Sequence, residues 1–84
     1  MSCYVYIMYS DNWKKYYVGV SNDVADRLHR HNNIQSLSTK GGIPWRIIQI
    51  IECADKSAAM LLEIKIKKRG ISRFLADNNI FPGL

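Results

Sequence analysis

Tyr4-Val5-Tyr6-Ile7-Met8-Tyr9 and Tyr16-Tyr17-Val18-Gly19-Val20 are two aromatic and β-branched runs, separated by the polar segment Ser10-Asp11-Asn12-Trp13-Lys14-Lys15. Such side chains suit a pleated, half-buried surface, and a polar segment between two runs reads as a turn. The pair predicts a β-hairpin. Side chains alternate between the faces of a strand, so Tyr4, Tyr6 and Met8 share one face of the first strand, and Val5, Ile7 and Tyr9 the other. On the second strand Tyr16, Val18 and Val20 form the more apolar face, with Tyr17 and Gly19 opposite. If Val5 and Ile7 lie with Val18 and Val20, Tyr6 and Tyr17 emerge together on the other side. Gly19 beside them has no side chain and leaves room for a ligand near the backbone. The competing reading makes both tyrosines ordinary half-buried sheet aromatics.

Beyond the hairpin, Ser21-Asn22-Asp23 offers N-caps for a helix from about Val24 to Asn33, which the Asn32-Asn33 pair ends. A polar loop runs through Gly41-Gly42-Ile43-Pro44, where Gly-Gly and Pro interrupt regular structure. Arg46-Ile47-Ile48-Gln49-Ile50-Ile51-Glu52 is a third strand, apolar on both faces, which predicts a central or well-covered position. Asp55 or Ser57 caps a second helix from about Ser57 to Arg69, and Gly70 stops it. Ser72 is placed to cap one more short helix before Pro82-Gly83. The order β-β-α-β-α, with a short terminal helix, predicts a small α/β protein of the α+β type: a mostly antiparallel sheet with helices packed on it.

The 84 residues are enough for one domain, 1–84, with a modest core drawn from a composition that is 48% hydrophobic. Twelve Lys and Arg against seven Asp and Glu give a net charge of +5, which favours polyanionic partners, nucleic acid foremost. Cys3 and Cys53 are distant in sequence and belong to no CxxC or Cys/His cluster. Nothing before Tyr4 reads as a signal peptide, so two reduced thiols in a cytoplasmic protein are expected. The longest apolar runs fall far short of the ~20 residues that cross a bilayer.

Three sets of polar residues carry possible chemistry. Val24 and Leu28 mark the buried stripe of the first helix, and Arg27 and His31 lie at the i+3 and i+7 places along it, four apart and therefore neighbours. A guanidinium beside an imidazole can grip a phosphate and move a proton; the plainer alternative is an Arg and a His rimming the core. His29 and Arg30 point elsewhere. Glu63 sits among Met60, Leu61, Leu62 and Ile64, with Ala59 and Ile66 on its own side. An acid among apolar neighbours is disfavoured unless paired or bound to a cation. An i,i+4 pair with Lys67 would satisfy it, and a lone carboxylate would equally suit one Mg²⁺ held mostly by water and phosphate oxygens. Lys65, Lys67, Lys68 and Arg69 form a basic run that is either a solvated face or a track for a nucleic-acid backbone.

In this order and spacing the residues resemble a stand-alone GIY-YIG domain of the small bacterial YhbQ/UPF0213 type. Tyr4-Val5-Tyr6 stands where the family has GIY, and Tyr17-Val18-Gly19 where it has YIG. Arg27-Leu28-His29-Arg30-His31 is similar to the family's Arg-x-x-x-His helix. Ser38-Thr39-Lys40 with Pro44-Trp45 looks like its loop before the third strand, and Glu63 falls at its single carboxylate. The resemblance implies a three-stranded antiparallel sheet flanked by helices and hydrolysis of DNA with one divalent ion, Mg²⁺ or Mn²⁺. It implies that Glu63 holds the metal, Tyr17 orients or activates the attacking water and Tyr6 hydrogen-bonds beside it. Arg27 would stabilise phosphoryl charge, His31 would transfer a proton, and Lys40 would contact phosphate. The sequence departs from GIY at Tyr4 and Val5 while keeping the tyrosine. Some relatives carry an Asn after the metal Glu, a place for which Asn78 and Asn79 are the candidates. Relatives usually owe target choice to an attached DNA-binding domain, so branched, nicked or damaged DNA, or a partner protein, would supply selectivity here. The alternative is a non-catalytic nucleic-acid-binding or protein-interaction module that retains the fold.

Overall fold

The hairpin forms where the alternation places it. In the computed structural model, which describes residues 2–33 and 39–80, β1 (Cys3–Ser10) and β2 (Lys15–Ser21) pair antiparallel. Val5 faces Val20, Tyr6 faces Gly19 and Ile7 faces Val18. α1 (Val24–Asn32), β3 (Trp45–Cys53), α2 (Lys56–Arg69) and α3 (Ile71–Asp77) follow. The three strands form one antiparallel sheet in the order β2-β1-β3, the α+β arrangement predicted. Ser38 and the Pro82-Gly83 stop lie outside the described residues.

Helix boundaries follow from local chemistry. The Asp23 side chain accepts from the backbone N–H of Asp26 at 3.0 Å, and Asp55 from that of Ala58 at 2.8 Å, so Asp55 rather than Ser57 caps α2. Gly70, at φ 93°, adopts a conformation that L side chains avoid; it ends α2 and opens α3. That corrects the expectation for Ser72, which lies within the first turn of α3 instead of capping it.

The two sheet faces carry separate cores. On one, Val5, Ile7 and Val18 pack with Ala59 and Ile66 of α2 and Leu75 of α3. On the other, Tyr6, Met8 and Trp45 pack with Tyr17, Val24, Leu28, Ile43 and Ile47. A fully buried aliphatic side chain is worth about 1.5–3 kcal/mol, and a chain this small fills both layers with few to spare. β3 is an edge strand, not the central one; β1 is central. β3 is apolar on both sides because both sheet faces are covered. A register shift opposite Ile7 and Met8 lets Ile47 join the Tyr6 layer while Ile48 and Ile51 join the other, and Ile50 remains 47% exposed. The same pairing sets Cys3 directly opposite Cys53, both as free thiols. No helix among the described residues is long and apolar enough to cross a membrane.

The hairpin turn is braced against the loop before β3. The Ser10 hydroxyl donates to the Gly42 carbonyl at 2.6 Å and accepts from the Trp13 N–H at 2.9 Å. Asn12 donates to the Gly41 carbonyl at 3.0 Å, and the Trp13 and Trp45 rings meet edge-on. These contacts fix the loop on which the site below depends.

Candidate active site

Tyr6 and Tyr17 do emerge together, with ring centroids 6.4 Å apart on the face covered by α1. Tyr6 is buried and its hydroxyl lies over Gly19, where a β-carbon would come within 2.5 Å of the phenolic oxygen. This corrects the expectation for Gly19: the space its missing side chain leaves is filled by the Tyr6 ring rather than kept for a ligand. Gly19→Ala tests this. Alanine normally improves a strand interior by relieving glycine's entropy, whereas here the methyl must displace a buried ring, an overpacking cost of about 1–3 kcal/mol. The melting temperature should drop by several degrees; a rise would show that Tyr6 does not occupy this place.

α1 brings His31 under the two rings. His31 is 4% exposed, lies 3.3 Å through Nε2 from the Tyr6 hydroxyl and 2.8 Å through Nδ1 from the Thr39 hydroxyl. The Tyr17 ring stands edge-on to the imidazole at 5.1 Å between centroids. The loop carrying Thr39 is stitched in place by two groups. The Asn32 amide both accepts from the Trp45 N–H (2.6 Å) and donates to its carbonyl (3.0 Å), while the Trp45 indole donates to the Thr39 carbonyl at 2.8 Å. Among the described residues the Tyr17 hydroxyl has no hydrogen-bond partner and the exposed Arg27 guanidinium has no ion pair. Arg30, by contrast, is held by Asp26 at 2.9 Å, and His29 bonds Asn33.

The electrostatics follow from this packing. Burial pushes the Tyr6 phenol up to about 12, with Tyr17 and Glu63 adding to the rise and Arg27 opposing it. Burial, then the Arg27 charge, lowers His31 from its ordinary 6.5. Both groups are neutral at neutral pH. A depressed folded value means that the unfolded chain takes up the His31 proton first as pH falls, so stability is present above 6.5 and declines as pH drops below it. Chemical denaturation of wild type should show this acid loss, and His31→Gln, which cannot charge, should show less of it. Parallel curves for the two proteins would mean that His31 is not held neutral.

Glu63 lies on the flank of α2 between the buried Ala59 and Ile66, and its side chain is 21% exposed. It is close enough to Tyr6 for its charge to act there. Its ion pair with Lys67 is loose, at 3.8 Å, longer than a hydrogen bond. Among the described residues no three His, Cys, Asp or Glu side chains cluster as a metal cage. His31 spends both ring nitrogens on hydroxyls. A partly open carboxylate without protein co-ligands fits a hard divalent ion that keeps most of its water, as Mg²⁺ does.

The basic run of α2 is not one surface. At 100° per residue Lys67 stands about 40° from Glu63, but Lys65 and Arg69 stand about 200° and 240° around, and Lys68 faces outward at about 140° beside exposed Leu61 and Ile64. Arg69 is moreover held by Asp77 through two hydrogen bonds of 2.8 and 3.0 Å. Only Lys67 of the four joins the Glu63 side. Lys40 is exposed at the start of a short 3₁₀ turn, next to Thr39. The Asn78 amide donates to the Phe74 carbonyl at the end of α3. The Thr39 hydroxyl and the Asn32–Trp45 clamp had no signal in the sequence beyond their place in the loop motif.

This hairpin, helix and carboxylate define a domain of nuclease type: residues 2–73 match the family model of the GIY-YIG catalytic domain, and the chain belongs to that family. Among solved structures it is similar to the UPF0213 protein BH0048 of Bacillus halodurans, determined by solution NMR. The two are 29% identical over 81% of this chain and 72% of that one, with a TM-score of 0.50. No curated protein matches the sequence significantly.

Proposed function

We propose that the protein is a divalent-metal-dependent endonuclease that hydrolyses DNA phosphodiester bonds at Tyr6, Tyr17, Arg27, His31 and Glu63. The observation that supports this most is the Tyr6–His31–Thr39 chain of hydrogen-bonding groups, flanked by a Tyr17 hydroxyl and an Arg27 guanidinium that have no partner among the described residues. Hydrolysis forms a bond from a water oxygen to phosphorus and breaks one to a sugar oxygen; the water must lose a proton as it attacks. Tyr17 orients that water. Tyr6, too weak an acid to ionise at neutral pH, accepts the water's proton at Oη as its own passes to Nε2 of His31. The tautomer with Nδ1–H donating to Thr39 leaves Nε2 free to accept, the positioning role a third residue plays in a triad. The Arg27 fork binds non-bridging phosphate oxygens as charge develops on them. Glu63 would hold one Mg²⁺ or Mn²⁺, which when bound supplies Lewis-acid stabilisation of the phosphoryl and leaving oxygens.

One observation favours the alternative of a non-catalytic binding module: Lys67 already gives Glu63 a partner. Incubating supercoiled, nicked and branched DNA with the protein and Mg²⁺ or Mn²⁺ decides between the two. Nicking or resolution is expected, with the branched substrate reporting structure selectivity. DNA binding without cleavage of any substrate by either metal would leave the binding module, or a domain that needs a partner protein.

A further inference from the structure

Outside the cluster just described lies an open cleft of about 430 Å³ between the hairpin turn, the end of α2 and the start of α3. Lys14, Lys15 and Lys67 supply its charge, Ser72 a hydroxyl, and Tyr16 and Ile71, both packed on the core, an apolar floor. None of the six is acidic. Asp11, the acid nearest in sequence on the turn, is spent on Arg46 through hydrogen bonds of 3.1 and 3.2 Å. Neither Lys14 nor Lys15 has an ion pair among the described residues. The loose contact of Lys67 with Glu63 is the one ion pair these three ammonium groups make among the described residues, and a polyanion drawn to the cleft would meet all three.

Two further features bear on the cleft. Lys14 sits at φ 55°, a left-handed conformation that glycine or asparagine adopts far more readily than lysine. Its N–H closes the turn on the Ser10 carbonyl at 2.7 Å, and Ser10, Asn12 and Trp13 tie that turn to the loop at Gly41 and Gly42. The lysines are thus held by an ordered turn. The second feature is Lys67, which lines the cleft and at the same time pairs loosely with Glu63.

We propose that this cleft docks a second backbone phosphate of the nucleic-acid strand, apart from the scissile one gripped by Arg27, with Lys14, Lys15 and Lys67 as its cations and Ser72 as a hydroxyl donor. The inference rests on the nucleic-acid reading above and adds the path of the strand: past Glu63 and Lys67 to the hairpin turn, not along the outer side of α2. Cations on the phosphate backbone give affinity without sequence preference and leave a salt signature.

The test is the salt dependence of binding to a short fluorescein-labelled DNA duplex, measured by anisotropy. Lys14→Gly suits the left-handed turn and should melt no lower than wild type, so Lys14→Gly/Lys15→Gln separates charge from folding. The double variant should bind more weakly and lose about one unit or more from the slope of log K against log salt. Lys65→Gln/Lys68→Gln removes the same charge from the outer flank of α2 and should leave the slope near that of wild type. A slope unchanged in the hairpin variant, an equal loss in the α2 variant, or no DNA binding by wild type would each overturn the proposal. Cleavage is scored separately. A wild type that nicks DNA while the hairpin variant keeps its slope refutes only the second phosphate site. A slope that falls in a protein that never cleaves supports the phosphate site and refutes only hydrolysis.

Discussion

A Glu63→Gln protein should fold normally, bind no divalent ion at this site and fail to cut DNA. Glutamine keeps the size of the side chain and removes the charge that a hard cation requires. Loss of an outer-sphere group alone costs about 10–100-fold in metal affinity, so loss of the carboxylate proposed to hold the ion should exceed that. Two accounts of Glu63 compete in the structure itself, because the Lys67 ammonium lies 3.8 Å away. If that pair is the whole purpose of the acid, Glu63→Gln should cost about 0.3 kcal/mol, as exposed i,i+4 pairs do, and leave activity intact. Lys67→Ala should then have the same effect. On the metal account the two variants part: Glu63→Gln abolishes cleavage and Mn²⁺ binding together, whereas Lys67→Ala leaves Mn²⁺ binding in place. Paramagnetic broadening by Mn²⁺ reads the metal without any turnover. Metal-dependent cleavage at full rate by purified Glu63→Gln would falsify the mechanism.

Arg27→Lys is expected to cut turnover by roughly 100-fold, the scale of removing one well-placed donor from a developing oxyanion, while changing DNA binding little. The ammonium preserves the charge but cannot present two parallel donors to two phosphate oxygens. The structure supplies the control. Arg30 lies on the same helix, three residues on, but its guanidinium is engaged by Asp26, so Arg30→Lys should be nearly silent. Single-turnover rates at saturating protein separate chemistry from binding. Equal effects of the two changes would mean that α1 does not present Arg27 to the phosphate.

Much of this arrangement was legible residue by residue. Alternation along β1 and β2 put Tyr6 and Tyr17 on one face, and the 3.6-residue period of α1 put Arg27 beside His31, because both periods are properties of a single element's backbone. Cap candidates that included Asp23 and Asp55, and the stop at Gly70, were readable for the same reason, and the structure chose between the candidates. Apolar periodicity left β3 between a central and a well-covered place, since a strand covered on both faces carries the same pattern at the centre of a sheet or at its edge; the structure makes it a covered edge. The basic run of α2 looked like a surface only while its residues were read in order; wound into a helix, it divides between flanks.

The sequence by itself determined the elements, the faces and the family, each set by interactions among residues a few places apart. The tertiary structure alone decided which distant groups meet. Thr39 reaches His31 across the loop, and Asn32 clamps the backbone of Trp45. Cys3 faces Cys53 from a neighbouring strand, and Lys14 and Lys15 share a cleft with Lys67. These pairs have no common period because chain closure, not backbone repeat, brings them together. What selects them is packing two cores onto the faces of one three-stranded sheet.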